Sequence, residues 1–165
     1  MIKTVGIDPG LAGTGVGIVT GSGFKVSQYA YSSISTSKSD PVPKRLDRIY
    51  TGLLHILAQE QPECMVVEAA FSLSRYPKSA ITLGQVTGII LLAGHQTNTV
   101  VRDVSVREVK QILTGNGNAG KQQLEKAVRN LLKAEKPIRP YHASDALALA
   151  LVGLFRYKTW RMEGR

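Results

Sequence analysis

The hydrophobic period of the chain changes near residue 44, and this change limits the fold more than any other feature. The earlier part has three patterns typical of strands, at 2–7, 13–20 and 24–31, separated by the turn sequences Asp8-Pro-Gly and Gly21-Ser-Gly. The later part has leucine and isoleucine at helical spacing, interrupted by two short apolar runs. The first third therefore predicts an antiparallel meander, and the rest predicts strands connected by helices.

After the meander, residues 32–43 predict a polar, mobile loop. Helices are predicted at 44 to about 62, 79–95, 106–113, 121–133 and from about 142 to 157, and strands at 64–67 and 99–104, with a loop rich in Gly and Asn at 115–120. The order of elements favours an α/β layer fold with a mixed sheet of five strands, three antiparallel strands followed by parallel ones.

The length and the single cysteine limit the setting. At 165 residues, we expect one domain, 1–165, with a short basic C-terminal tail from about 157. Cys64 has no partner for an internal disulfide, and the N-terminus has no signal-peptide pattern, so we expect a cytoplasmic protein. The longest apolar stretch, 146–155, is shorter than the roughly 20 residues of a membrane span, and no membrane association is expected.

The charge favours polyanions as partners. The chain has 21 Lys and Arg against 12 Asp and Glu, a formal net charge of +9. Many basic proteins bind no nucleic acid, so the positions of the charges must decide.

Four residues predict a metal site. Asp8 and Glu68 each end an apolar strand, and the carboxyl ends of strands in α/β sheets form ligand sites. His142 and Asp145 are spaced to share one face of the last helix. Clustered carboxylates repel one another unless cations neutralise them, and Mg²⁺ or Mn²⁺ suits such oxygen ligands. Two such ions can promote phosphodiester hydrolysis.

Each residue also has a structural alternative. Asp8 fits a turn, His142 fits an exposed helix start, and Asp145 fits a positive helix N-terminus. Glu68 is harder to explain structurally, because a carboxylate at the end of a buried strand is costly without a partner. The prediction therefore depends on the whole set.

Five ordered segments resemble the bacterial RuvC Holliday junction resolvases, and the similarity covers nearly the whole chain. They are Gly6-Ile-Asp-Pro-Gly-Leu-Ala-Gly-Thr-Gly-Val-Gly, Glu68-Ala-Ala-Phe, Leu83-Gly-Gln-Val-Thr-Gly, Val109-Lys-Gln and His142-Ala-Ser-Asp-Ala-Leu-Ala. The resemblance implies an RNase H-like fold, a homodimer, and a crossover junction endodeoxyribonuclease for recombination and repair. It also implies two Mg²⁺ ions per active site, with Mn²⁺ able to substitute.

The resemblance also assigns roles to residues. It places Asp8, Glu68 and Asp145 as the catalytic carboxylates, with His142 where some members have Asp. Because histidine also occurs there in the family, activity is expected, and the imidazole can shift the preference toward Mn²⁺. Lys121 opens a helix after a Gly-rich loop, where it can face a phosphate, and the similar family lysine contributes to cleavage.

Further DNA contacts are predicted around these motifs. Lys110 matches a family lysine, whereas Arg107 fits a solvated surface charge equally well. Phe71 could stack on an unpaired base, as the family's aromatic residue does, or cover the core. Arg75 and Lys78 are expected to bind backbone phosphates.

Four-way junction DNA is the expected partner, and its two equivalent scissile strands favour a twofold dimer. The predicted interface is the helix 79–95, along Ile81, Val86, Ile89, Ile90 and Ala93, although the intramolecular core must bury some of these residues. A branch-migration motor is a further candidate partner.

Other functions compete with this one. A Gly-Ile-Asp strand with a Gly-rich hairpin is also found in actin-like or sugar-kinase-type ATP-binding domains, but those duplicate the domain, and 165 residues leave room for one copy. Other RNase H-like nucleases act on RNA–DNA hybrids or process ribosomal RNA. A junction-binding protein without cleavage would not need the complete acidic set.

Overall fold

The computed structural model describes residues 1–69 and 77–163. The strands are β1 (Ile2–Asp8), β2 (Gly13–Ser22), β3 (Lys25–Ser35), β4 (Cys64–Glu68) and β5 (Val100–Val104). The helices are α1 (Val42–Glu60), α2 (Pro77–Gln96), α3 (Val106–Thr114), α4 (Lys121–Leu132) and α5 (Tyr141–Met162).

The strands form one mixed sheet in the order β3-β2-β1-β4-β5. The first three pair antiparallel, while β1 pairs parallel with β4 and β4 pairs parallel with β5. This confirms the predicted mixed sheet of five strands. Because β1 and β4 are parallel neighbours, their carboxyl ends lie at the same edge.

Helices cover both faces of the sheet. The side chains of β4 alternate between the two hydrophobic cores that result. Cys64 and Val66 pack with α5, α3 and α4 in one core. Met65 and Val67 pack with α1 and α2 in the other. Burial on both faces explains why β4 is apolar throughout until Glu68.

The backbone of helix α5 lies very close to the backbones of β1 and β2, because glycines on these strands face the helix. Gly6 on β1 pairs with Gly17 on β2. A Cβ atom on Gly6 would lie 2.0 Å from the carbonyl oxygen of Ala146, and one on Gly17 would lie 2.5 Å from the amide nitrogen of Leu147. Side chains at these two positions would exclude the helix.

The main differences from the predicted boundaries are in β3, α1 and α5. The residues 32–35, predicted as loop, extend β3, where Ser32 to Ser35 pair with residues 16 to 13 of β2. Helix α1 begins at Val42, two residues before the predicted start at 44. Pro43 is tolerated there because the amide groups of the first helical turn have no partner within the helix. Helix α5 continues to Met162, so the residues from about 157, predicted as a basic tail, are helical and contribute Trp160 to the edge of the core.

The predicted interface residues of α2 are divided between core and surface. Val86, Ile90 and Ala93 are fully buried inside the protomer, so their assignment to a dimer interface was wrong. Ile89 is half-buried, and Ile81 is 65% exposed. Within the described residues, no helix is both long enough and apolar enough to cross a membrane.

Candidate active site

Three carboxylates meet at the edge where β1 and β4 end. Ile7 is aligned with Val67 in the parallel pair, which brings Asp8 beside Glu68. Asp145 lies near the start of α5, and the close packing of this helix on the sheet places it against the two strand ends. The predicted convergence of these acids is therefore present in the structure.

The three acids line a cavity of about 240 Å³. Lys110 from α3 and Lys121 from the first turn of α4 line it too. Apolar residues complete the wall, namely Val106, Val109, Leu124 and Leu149. The cavity combines acids that can hold cations with two ammonium groups that can face a phosphate.

Burial and mutual repulsion raise the pKa values of the acids. Burial, together with the charges of Glu68 and Asp145, raises the pKa of Asp8 to about 8. Burial and Asp145 also raise the pKa of Glu68. Burial raises the pKa of Asp145, against the charges of both lysines and His142. The site therefore favours protons or cations over free carboxylates.

Asp8 and Glu68 are close enough to share a hydrogen bond. Two carboxyl groups can share such a bond only when one keeps its proton. Although the three acids line one cavity, no three or more His, Cys, Asp or Glu side chains among residues 1–69 and 77–163 are already arranged around one ion position. The carboxylate oxygens of the three acids nevertheless suit a hard divalent cation.

His142 lies beside the cavity and is not part of its lining. Its Nε2 atom is 2.7 Å from Oγ of Ser33 on β3. It is among the groups that lower the pKa of Asp145, which places the imidazole near that carboxyl group. The role of His142 as a metal ligand stays a prediction.

The predicted DNA-contacting residues occupy different places. Lys78 is exposed at the start of α2, beside Leu11. Arg107 is exposed on α3, and its side chain and backbone cover Gly117 in the loop before α4. Phe71 and Arg75 lie outside the described residues.

The predictions from sequence missed two features of the site. Ser33 was placed in a loop, although it contacts His142 from β3. The alternating glycines of β2 were interpreted only as a strand pattern, although their spacing of two residues places all of them on one face. That spacing was the available signal for a closely packed helix.

Comparisons with known proteins find a family and relatives similar to this chain. The sequence model of the family described as "Crossover junction endodeoxyribonuclease RuvC" matches residues 4–153. Curated relatives of that name include one from Prosthecochloris aestuarii, 38% identical over 91% of this chain and 80% of the relative. Another, from Caldicellulosiruptor saccharolyticus, is 39% identical over 91% of this chain and 90% of the relative.

Solved structures show the same similarity. "T. thermophilus RuvC in complex with Holliday junction substrate" superposes with a TM-score of 0.91 at 32% identity, covering 97% of each chain. The yeast mitochondrial Holliday junction resolvase Ydc2 has a TM-score of 0.65 over 98% of this chain and 81% of the other, and at 11% identity it shows the fold alone. These matches confirm the predicted RNase H-like fold. The chain belongs to the RuvC family of crossover junction endodeoxyribonucleases.

Proposed function

We propose that this protein is a metal-dependent endonuclease that resolves four-way DNA junctions in recombination and repair. The observation that carries the proposal is the cavity in which Asp8, Glu68 and Asp145 face Lys110 and Lys121. The similar T. thermophilus RuvC structure, a complex with a Holliday junction substrate, supports DNA junctions as the substrate. A formal net charge of +9 agrees with a polyanionic partner.

Two Mg²⁺ ions per active site are the proposed cofactor, with Mn²⁺ able to substitute. When bound, such ions activate a water molecule and stabilise the leaving oxygen of the phosphodiester. Asp8, Glu68 and Asp145 would supply oxygen ligands, and His142 would supply a nitrogen ligand. The raised pKa values of the acids support this assignment, because a cation there removes the repulsion that otherwise retains protons.

Lys121 is proposed to hold the reacting phosphate. It is the first residue of α4, and Gly120 before it provides no side-chain cap. The amide groups of the first turn can therefore donate to an anion, and the helix dipole favours negative charge at this end. Lys110 adds a second positive charge to the same cavity wall.

The surrounding surface is proposed to bind the arms of the junction. Lys78 and Arg75 would contact backbone phosphates, and Phe71 would stack on a base near the crossover. Arg107 is retained as a weaker candidate, because its packing over Gly117 gives the side chain a structural role.

We also propose a homodimer through the exposed face of α2. Ile81, Leu91 and Leu92 are 65%, 40% and 46% exposed on this face. Gly84 and Gly88 lie between them, and added Cβ atoms there would meet nothing within 4 Å. Small residues flanked by exposed apolar ones allow a second helix to approach closely, and a twofold substrate favours a twofold enzyme.

Mass measurement in solution tests the dimer. The wild-type protein should have the mass of a dimer at micromolar concentration, and Leu92→Lys should shift it toward monomer. Leu131→Lys on α4, also exposed, is the matched control and should leave the mass unchanged. A monomeric wild-type protein would exclude the dimer.

Cleavage of labelled substrates tests the main function. A four-way junction, a linear duplex and an RNA–DNA hybrid are incubated with and without Mg²⁺ or Mn²⁺. We expect paired, symmetric nicks in the junction alone. Asp8→Asn should lower the rate by about 10²–10³-fold, as expected from loss of several kcal/mol of electrostatic stabilisation. Asp47→Asn, an exposed acid on α1, is the control. Uncut junction with degraded hybrid would instead favour the alternative RNase H-like function.

Two broader predictions accompany this function. The buried free thiol of Cys64 agrees with a cytoplasmic, reducing location. A branch-migration motor stays a predicted partner.

A further inference from the structure

A contact between β3 and α5 joins Ser33 to His142 over a sequence separation of 109 residues. Ser33 pairs with Gly15 on β2, and a Cβ atom on Gly15 would lie 2.2 Å from the carbonyl oxygen of His142. An added Cβ on Gly13 would lie 3.4 Å from Oγ of Ser33 and 3.5 Å from Nε2 of His142. The sheet therefore supports both the backbone and the ring of His142.

Most of β3 is exposed, whereas Ser33 is half-buried and contacts the histidine. Among the residues that the structure describes, the only hydrogen-bond partner of its hydroxyl is Nε2 of His142 at 2.7 Å. In the same part of the chain, Nδ1 of His142 has no hydrogen-bond partner. One ring nitrogen is thus held by the sheet, and the other is free.

The hydroxyl of Ser33 can bond to Nε2 in two ways. A neutral imidazole has one N–H donor and one acceptor nitrogen, whereas a hydroxyl can act in either role. If Ser33 donates, Nδ1 carries the hydrogen and has no lone pair for a cation. If Ser33 accepts from Nε2–H, the lone pair is on Nδ1.

We infer that Ser33 is a positioning residue that accepts a hydrogen bond from Nε2–H of His142 and thereby leaves Nδ1 as the metal-binding atom. The inference rests on the proposed function of His142 as a metal ligand. Residues that fix the tautomer and orientation of a ligating histidine typically change metal affinity by about 10–100-fold when removed. Ser33 acts only through His142.

The tautomer can be read directly by NMR. Long-range ¹H–¹⁵N spectra of protein labelled at its histidine rings distinguish a protonated Nε2 from a protonated Nδ1. His142→Ala assigns the signals among the three histidines, the others being His55 and His95. Wild-type protein with Mg²⁺ should show Nε2–H at His142, and Ser33→Ala should show a mixture of tautomers. Nδ1–H in the wild type, or an unchanged tautomer in Ser33→Ala, would overturn the inference.

Calorimetric titration with Mn²⁺ alone gives a second measurement. Ser33→Ala should weaken binding by about 10–100-fold, and the loss should be smaller for Mg²⁺, because imidazole suits Mn²⁺ better. Ser33→Thr keeps the hydroxyl and should remain within about threefold of wild type by the same reasoning. Ser32→Ala, an exposed neighbour whose side chain points to the other face, is the control and should bind as wild type.

The two possible failures can be separated. If Asp8→Asn abolishes junction cleavage but Ser33→Ala binds Mn²⁺ as tightly as wild type, only the positioning role is wrong. If Asp8→Asn cleaves normally, the proposed function itself is wrong. Melting curves establish that each variant is folded.

Discussion

Replacing Gly17 by alanine would put a methyl group into the contact between β2 and α5. The added Cβ would lie 2.5 Å from the amide nitrogen of Leu147, 2.6 Å from its Cα and 2.7 Å from the carbonyl carbon of Ala146. All three are backbone atoms, so no side-chain rotation can relieve the overlap. The helix itself must move away from the sheet.

The size of the effect follows from these distances. An ordinary contact begins near 3.4 Å, so α5 must shift by about 1 Å. Overpacking of this kind costs about 1–3 kcal/mol, which corresponds to a fall in melting temperature of about 2–12 °C for a domain of this size. Asp145 lies on the same helix, and a displacement of about 1 Å at a reacting group can cost about 10²-fold in rate.

Thermal melting and single-turnover junction cleavage measure the two consequences. Gly52→Ala on α1 is the matched control, since its added Cβ would meet only side-chain atoms of Ile34, Cδ1 at 3.1 Å and two others at 3.5 Å. It should melt at or above the wild-type temperature, because alanine favours helix by about 1 kcal/mol over glycine. If Gly17→Ala melts and cleaves like the wild type, the close packing of α5 does not position the site.

Further predictions concern charge and metal. Burial and two neighbouring carboxylates raise the pKa of Asp8 from 3.8 to about 8; without divalent ions, the free energy of unfolding should therefore fall as pH rises from about 4 to about 8. In melts with EDTA, Asp8→Asn should flatten this slope, and an unchanged slope would contradict the assignment. Lys121 lowers the pKa values of the three acids, so Lys121→Gln should move the acidic limb of the cleavage pH profile to higher pH; an unmoved limb would separate this lysine from the site. His142→Ala should lower single-turnover cleavage while His142→Asp largely keeps it, and full activity of the alanine variant would remove this residue from the site. Lys78→Gln should reduce the slope of log affinity against log salt by about 0.9, and an equal slope would exclude its phosphate contact.

Much of the site could be predicted from local sequence, because its acids occupy positions with simple geometry. Asp8 and Glu68 end apolar strands, and parallel pairing of those strands brings their ends together. Asp145 follows His142 by three residues, which fixes their common helix face. Lys121 could be placed because it begins a helix after a Gly-rich loop. These positions follow from the hydrophobic periodicity of single elements and from the order of the elements along the chain.

The contacts that orient these groups depend on residues far apart in the chain. Ser33 reaches His142 only because β3 continues past its apolar part and pairs with β2, which a local polar pattern cannot indicate. The assignment of Val86, Ile90 and Ala93 to an interface was wrong for a similar reason, because only the packed structure separates these buried residues from the exposed Ile81.

The sequence by itself determined the element types, the mixed sheet and the three acids, since periodicity and strand ends are local properties. The tertiary structure decided the rest: the close contact of α5 with the glycines, the raised pKa of Asp8 beside Glu68, and the ring nitrogen of His142 that contacts Ser33. These features arise from burial and from distances between elements. Both properties exist only once the chain has packed.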